Sequence, residues 1–156
     1  MGNAVAVMEP AGPIGRSNIN LMRVVFGGIV AGLVINVSEF VLNQVILLSD
    51  MTTALARMNL PPVGGSAIPV FIVLGFVGGL ATVWLYAAIR PRFGAGPQTA
   101  LTAGIYFWFV GYLWSGVVMY VLHMYPARLM AVSLSWELIE SILAALVGAA
   151  IYTENP

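Results

Sequence analysis

Four long runs of apolar residues dominate the chain, and short stretches with polar residues, glycine and proline separate them. The runs predict helices over about residues 19–48, 68–89, 98–124 and 127–152. At a rise of about 1.5 Å per residue, each helix is long enough to cross a hydrocarbon layer about 30 Å thick. We therefore predict an all-α protein, built as an antiparallel four-helix transmembrane bundle.

The segments between and before the apolar runs predict a short helix in the first loop, the starts of two spans and an N-terminal arm. Met51, Leu55 and Met58 recur at helical spacing, which indicates a short interfacial helix in the first loop, before the turn formed by residues 61–66. Asn18 is the expected N-cap of the first span, and Pro97 is expected to begin the third. Residues 1–17 offer no packed face, so we predict an N-terminal arm followed by one membrane domain over residues 18–153.

Composition narrows the class of protein. The chain is 60% hydrophobic and 8% charged, whereas a soluble domain carries about 25% charged residues. It has no cysteine, which excludes disulfides, thiol chemistry and Cys-ligated metals. We expect the lipid bilayer to be its surroundings, and we expect no nucleic-acid partner, because its arginines are scattered.

The arginines also predict an orientation. Four of them fall on one side of the predicted membrane and two on the other. The two sets are Arg16, Arg23, Arg90 and Arg92 against Arg57 and Arg128. Since basic residues favour the cytoplasmic side, both termini are expected in the cytoplasm.

Three carboxyl groups lie inside the predicted spans, those of Glu39, Glu137 and Glu140. Counted from the loop ends, all three reach a similar depth near the middle of the membrane. An acidic side chain there costs about 2.5–3.5 kcal/mol, so we expect them to face protein and at least one to carry a proton. The polar residues expected to join this cluster are Asn36, Asn43, Ser133, Ser141, Tyr112 and Ser115.

Two interpretations of this cluster remain open. It can be a structural network that hydrogen-bonds helices together, or a site where a carboxylate exchanges its proton for a transported substrate. A metal site is disfavoured, because Glu137 and Glu140 form Glu-x-x-Glu rather than the Glu-x-x-His of di-iron bundles. His123 is predicted near the interface as a hydrogen-bonding residue, and an axial bond from it to a pigment is the minority alternative. We expect no metal and no cofactor.

Pairs of small residues recur four positions apart in the predicted spans. Such spacing lets helix backbones approach closely. The predicted packing residues are Gly28, Gly32, Gly75, Gly79, Gly111, Ala144 and Gly148. Neither a Gly-x-Ser-x-Gly motif nor a phosphate-binding loop occurs, so we predict no enzymatic activity. The favoured function is a helix-packing or accessory subunit of a membrane complex or a homo-oligomer, and the alternative is a small proton- or cation-coupled transporter.

Three stretches of the chain also carry a resemblance. They are MRVVFGGIVAGLVINVSEFVLN, GGSAIPVFIVLGFVGGLATVWLYAAIRPRFG and SWELIESILAALVGAAIY. Together they resemble a group of uncharacterised small bacterial four-helix membrane proteins, which implies a bacterial inner-membrane location and no particular activity. The chain is more loosely similar to the small multidrug transporters, which have a membrane Glu in their first helix. It is longer than these transporters, and its sequence around Glu39 differs from theirs.

Overall fold

The computed structural model of the chain describes residues 19–153, and this part of the chain is helical and contains no strand. The α-helices are α1 (Leu21–Val41), α2 (Leu48–Arg57), α3 (Ile68–Phe93), α4 (Pro97–Trp108), α5 (Trp114–Val121) and α6 (Ala127–Ile151). Two π-helical segments are also present, Leu42–Ile46 after α1 and Phe109–Leu113 between α4 and α5. The predicted arm at residues 1–17 and the predicted cap Asn18 lie outside the described residues.

Within residues 19–153, four helical stretches are long and apolar enough to cross a membrane. They are Leu21–Ile46, Ile68–Phe93, Pro97–Val121 and Ala127–Ile151. The predictions of an all-α protein and of four apolar spans are therefore confirmed. The chain has the character of a multi-pass membrane protein.

The first span is shorter than predicted, because its helix does not continue to Leu48. It begins after Asn20, whose side-chain oxygen accepts a hydrogen bond from the backbone N–H of Arg23 at 3.2 Å. At its other end the N–H of Leu47 donates to the carbonyl of Leu42, five residues earlier, at 2.8 Å. This wider turn ends the span, and α2 follows after a bend at Leu47.

The second and third spans also differ from their predicted limits. The second span is predicted to end at about residue 89, yet α3 continues through Pro91 to Phe93 and stops at Gly94, whose φ is 87°. Proline is tolerated there because it removes only one hydrogen bond from the last turn of the helix. The next helix begins at Pro97, as predicted, while α5 ends at Val121 and His123 takes a φ of 56° in the turn that follows.

Glycines bring α1 into close contact with α3 and α6. A β-carbon on Gly79 of α3 would lie 2.2 Å from the backbone nitrogen of Gly32. On another face of α1, a β-carbon on Gly27 would lie 2.6 Å from the carbonyl oxygen of Gly148. Because backbones can approach this closely only without intervening side chains, α1 packs between α3 and α6 at these glycines.

A second, smaller core fixes α2 against the start of α6. It contains the buried residues Leu42, Leu47, Ala54 and Leu129. At its edge the guanidinium group of Arg128 donates to the carboxylate of Asp50. The bend after the first span therefore folds α2 back onto the bundle.

Candidate functional site

The structure brings the three carboxyl groups of the spans together. Glu39 comes from α1, and Glu137 and Glu140 come from α6, which packs against α1. The three groups are close enough to interact electrostatically. Glu140 is the most buried, with 2% of its surface exposed, and the other two are half-buried. We call these three residues the acidic cluster.

Hydrogen-bond donors from other helices hold Glu140 in place. The hydroxyl of Tyr112 donates to its Oε1 at 3.1 Å. Ser38 of α1 is a polar neighbour of the same carboxyl group, and its Oγ accepts a hydrogen bond from the indole N–H of Trp136 at 2.8 Å. These contacts connect α1, α6 and the third span through side chains inside the membrane region.

Glu39 has a donor within its own helical run. The side-chain nitrogen of Asn43 donates to Glu39 Oε2 at 2.7 Å and to the backbone carbonyl of Glu39 at 3.0 Å. The amide therefore stabilises one carboxyl oxygen and also a carbonyl at the end of α1.

Both of these donors lie in π-helical segments. Asn43 belongs to Leu42–Ile46, and Tyr112 belongs to Phe109–Leu113. Single π-helical turns inside α-helices occur frequently at functional sites, where they change the direction in which a side chain points. Here each one carries a donor to a different member of the acidic cluster.

Two buried carboxyl oxygens of the cluster have no hydrogen-bond partner among the described residues. They are Glu39 Oε1 and Glu140 Oε2. In the same part of the chain, no group of three or more His, Asp or Glu side chains has an arrangement that could hold a metal ion. A carboxyl oxygen without a partner can accept a hydrogen bond or bind a proton.

Several residues that were predicted to join the cluster bond to backbone carbonyls instead. Asn36 donates to Gly32 at 2.8 Å and to Ile72 at 3.2 Å, so it links α1 to α3. The hydroxyl of Ser115 donates to Gly111 and Tyr112, and that of Ser141 donates to Glu137. Ser133 is buried in α6, and no contact places its hydroxyl on a carboxyl group. Of the six predicted polar neighbours, Asn43 and Tyr112 are the ones that donate to the cluster.

Most of the predicted small packing residues lie at helix contacts. Those that are buried or nearly in contact with a neighbouring helix are Gly28, Gly32, Gly75, Gly79, Ala144 and Gly148. Gly111 differs, because it is exposed and a β-carbon there would meet nothing within 4 Å. Two glycines that pack against α6, Gly27 and Gly104, were not predicted. A usable signal was present, since each has an alanine four positions away, Ala31 and Ala100.

The residues missed at the acidic cluster are Ser38 and Trp136. Each lies next to a glutamate in the sequence, Ser38 before Glu39 and Trp136 before Glu137. Neighbours in a helix point about 100° apart, so adjacency gave no reason to place them in one network. The indole N–H of Trp136 is a usable signal, since a donor inside a span needs an acceptor on another helix.

The chain matches no known protein-family model, no curated protein and no solved structure.

Proposed function

We propose that this chain is a bacterial inner-membrane protein whose four spans form an antiparallel bundle, with both termini in the cytoplasm and α2 at the outer surface. The order of contacts supports the antiparallel arrangement of the first two spans: Gly28 meets Leu80, and Gly32 meets Phe76. The resemblance to small bacterial membrane proteins supports the location, and the distribution of arginines supports the orientation.

Within that membrane we propose a non-enzymatic role, in which the chain associates with other transmembrane helices, from its own copies or from another subunit. The observation that carries this proposal is the loose packing of one half of the third span. No residue from Phe109 to Val121 is buried, although this half contains Trp114 and Tyr120. A span that buries so little within its own chain has a large face available for a partner helix.

The face has a defined shape. Phe109, Leu113, Trp114, Val117 and Val118 line a shallow apolar groove of about 230 Å³. Beside it, Gly111 leaves open space at the helix surface. Small residues next to large aromatic ones are suited to the close packing that associates helices in lipid, where burial of apolar surface provides no driving force.

Cross-linking tests this role cleanly, because the chain has no cysteine of its own. Trp114→Cys, at a position that is 72% exposed, is expected to give a cross-linked product in native membranes. Leu74→Cys is the matched control, since it is 56% exposed and lies near the start of α3, which the antiparallel topology puts at the same depth as Trp114 near the end of the third span. A product of twice the mass indicates self-association, and one of another mass indicates a different subunit. Equal cross-linking of the two variants, or none, contradicts the proposal.

The acidic cluster favours a second candidate function, a small proton- or cation-coupled transporter. The observation behind it is the Glu140 carboxyl group, which is buried inside the membrane region yet has one oxygen without a partner. Intramembrane carboxyl groups of this kind are typical of proton pathways.

Flux measurements in proteoliposomes test this second candidate. With an imposed pH gradient and tetraphenylphosphonium as the probe cation, Glu39→Gln is expected to abolish proton-coupled uptake. Asp50→Asn is the control, because Asp50 is acidic but belongs to the exposed ion pair with Arg128. If the purified chain transports neither protons nor this cation, or if Glu39→Gln leaves the flux unchanged, the transporter role is wrong.

A further inference from the structure

The side chains between α2 and the start of α6 form a continuous series that ends at the acidic cluster. Trp136 of α6 packs against the small core that contains Ala54 of α2. Its indole N–H donates to Ser38 Oγ at 2.8 Å, and Ser38 is a polar neighbour of the Glu140 carboxyl group. The docking of α2 is therefore connected to the most buried carboxyl group through one indole ring.

One face of α6 leads from α2 to the same carboxyl group. Leu129, Ser133 and Glu140 share this face, because residues four or eleven positions apart in an α-helix point in nearly the same direction. All three are buried. Leu129 belongs to the small core at α2, and Ser133 is the polar residue between Leu129 and Glu140. The small core thus covers the α2 end of this face.

Few contacts hold α2 in its position. Within Leu48–Arg57, Ala54 is the one residue that is buried. The ion pair with α6 joins Asp50 to Arg128, whose side chain is 74% exposed. Exposed ion pairs contribute little to stability and are screened by salt. Segments with few buried contacts open locally at a small cost in free energy, so α2 belongs to the least stable part of the described chain.

Both ends of α2 allow it to move as a unit. It begins after Leu47, where a φ of −109° and a ψ of 6° interrupt the helical run. Beyond its other end Asn59 has a φ of 54°, and the loop over residues 60–66 is exposed. This loop therefore provides no packing that would fasten α2 to the bundle.

We propose that α2 is a lid over one end of the α1–α6 contact, and that its opening admits water along Ser133 to the carboxyl group of Glu140. In the closed lid the small core keeps water out. When α2 lifts, this core opens, and the hydroxyl groups of Ser133 and Ser38 become partners for water molecules. The lid thus regulates when Glu140 meets water.

This inference rests on the second candidate function, because it concerns access to the carboxyl groups of that site. Lid opening is measured without a gradient or a transported substrate, so the lid can hold for a chain that fails the flux test. Opening leaves all three carboxyl groups in place. Asp50→Asn is therefore expected to retain the uptake that Glu39→Gln abolishes.

Alkylation of single cysteines in lipid nanodiscs measures lid opening. Iodoacetamide is the probe, because it is small, uncharged and soluble in water, and a nanodisc leaves both membrane surfaces accessible. Ala54→Cys reports on the covered side of α2, where residue 54 is 3% exposed, and Ser133→Cys, at 7%, reports on the route beyond it. Both are expected to react far more slowly than Ala56→Cys, at an exposed position on the same helix.

Loss of the ion pair is expected to favour the open lid. Asp50→Asn and Arg128→Gln should each raise the rates of both buried cysteines by the same factor, about 1.5- to 5-fold, and about 0.5 M salt should act in the same direction. The two substitutions change the local charge in opposite senses, so a rise in both reports opening rather than altered thiol ionisation. Ala56→Cys and Ala103→Cys, which is buried in α4, are controls whose rates should not change.

Four results would overturn the proposal. The first is alkylation of Ala54→Cys as fast as that of Ala56→Cys while the ion pair is intact. The second is no change at Ala54→Cys when the ion pair is lost, and the third is a rise there without one at Ser133→Cys. The fourth is an equal rise at Ala103→Cys, which would mean that the whole bundle loosens. The salt series needs no substitution in the ion pair, so it decides where such a variant fails to fold.

Discussion

At the scale of single residues, most polar side chains in the spans are satisfied by a neighbouring backbone carbonyl. The hydroxyls of Ser115 and Ser141 each donate to a carbonyl in the preceding turn of their own helix. Asn36 goes further, because its amide nitrogen also reaches the carbonyl of Ile72 in α3. One residue thus turns a local hydrogen bond into a contact between spans.

The contact of Asn36 with Gly75 provides a prediction. A β-carbon at Gly75 would lie 2.6 Å from the side-chain nitrogen of Asn36, so Gly75→Ala must displace the amide and break its link to Ile72. We expect Asn36→Ala alone to cost about 0.6–2 kcal/mol of unfolding free energy. Gly75→Ala should cost clearly less when residue 36 is Ala than when it is Asn, by about 0.5 kcal/mol or more.

Reversible unfolding in mixed detergent micelles measures this double-mutant cycle. Ser115→Ala is a useful control, because it removes only hydrogen bonds within one helix and should not be coupled to Gly75→Ala. Additive effects of the Asn36 and Gly75 substitutions would show that the side chain does not lie against the glycine.

For the acidic cluster, the depth of the three glutamates could be predicted from the sequence, but their hydrogen-bond partners could not. Counting residues from the loops gave Glu39, Glu137 and Glu140 the same depth, and the structure brings them together because α1 and α6 pack side by side. The partners of these residues were less predictable. An asparagine or serine in a span can bond to its own backbone or to another helix, and sequence spacing does not distinguish the two outcomes.

At the scale of elements, glycine determines which helices touch. The α1–α3 contact depends on Gly28, Gly32 and Gly79, where backbone lies against backbone. The small-residue spacing predicted such close approaches, although it did not identify the partner helix. Gly111 has the same spacing with Ser115 but faces open space, because the half of the third span from Phe109 to Val121 packs little against the rest of the described chain.

Gly79→Ala is expected to disrupt this element contact strongly. Its β-carbon would lie 2.4 Å from the carbonyl oxygen of Gly28 and 2.2 Å from the nitrogen of Gly32, and backbone atoms cannot move aside as a side chain can. We expect a loss of about 1–3 kcal/mol or more in unfolding free energy, measured by thermal or detergent unfolding.

Gly65→Ala is the control for that substitution, because a β-carbon there meets nothing within 4 Å. It should leave the unfolding free energy within about 0.5 kcal/mol of wild type. Equal stability of the Gly79→Ala and Gly65→Ala variants would mean that α1 and α3 do not meet at Gly79.

Helix limits were harder to predict than helix existence. An apolar run in a membrane has hydrophobic residues on all sides, so its periodicity does not reveal a wider turn. Neither π-helical segment was foreseen for this reason, and the first span was predicted to run on to Leu48. The stop at Val121 was also missed, since Leu122 is as apolar as the residues before it.

At the scale of the whole molecule, the proposed topology makes the two ends of the bundle chemically distinct. The loop that holds Gly64 is proposed to face outward, and the turn that holds Ala95 is proposed to face the cytoplasm. Arg90 and Arg92 lie on the Ala95 side, where the membrane surface favours basic residues.

Labelling of single cysteines checks this topology. In intact bacterial cells, Gly64→Cys is expected to react with a membrane-impermeant maleimide. Ala95→Cys and Thr153→Cys should react only after the inner membrane is opened, because both lie on the cytoplasmic side. Labelling of Ala95→Cys but not of Gly64→Cys in intact cells would reverse the orientation, and labelling of Thr153→Cys without Ala95→Cys would rule out four crossings.

Each π-helical segment also gives its span one residue of slack in length. A π-turn closes over one residue more than an α-turn, so a deletion of one residue within Phe109–Leu113 would restore a regular α-helix. The two halves would keep their relative orientation, because five residues of π-helix turn the chain about as far as four residues of α-helix. A natural variant shortened in this way is therefore expected to keep its four membrane crossings and the faces of both halves, while Tyr112 inside the segment changes direction and loses its hydrogen bond to Glu140. The contact between the third span and the acidic cluster thus depends on the length of this one segment.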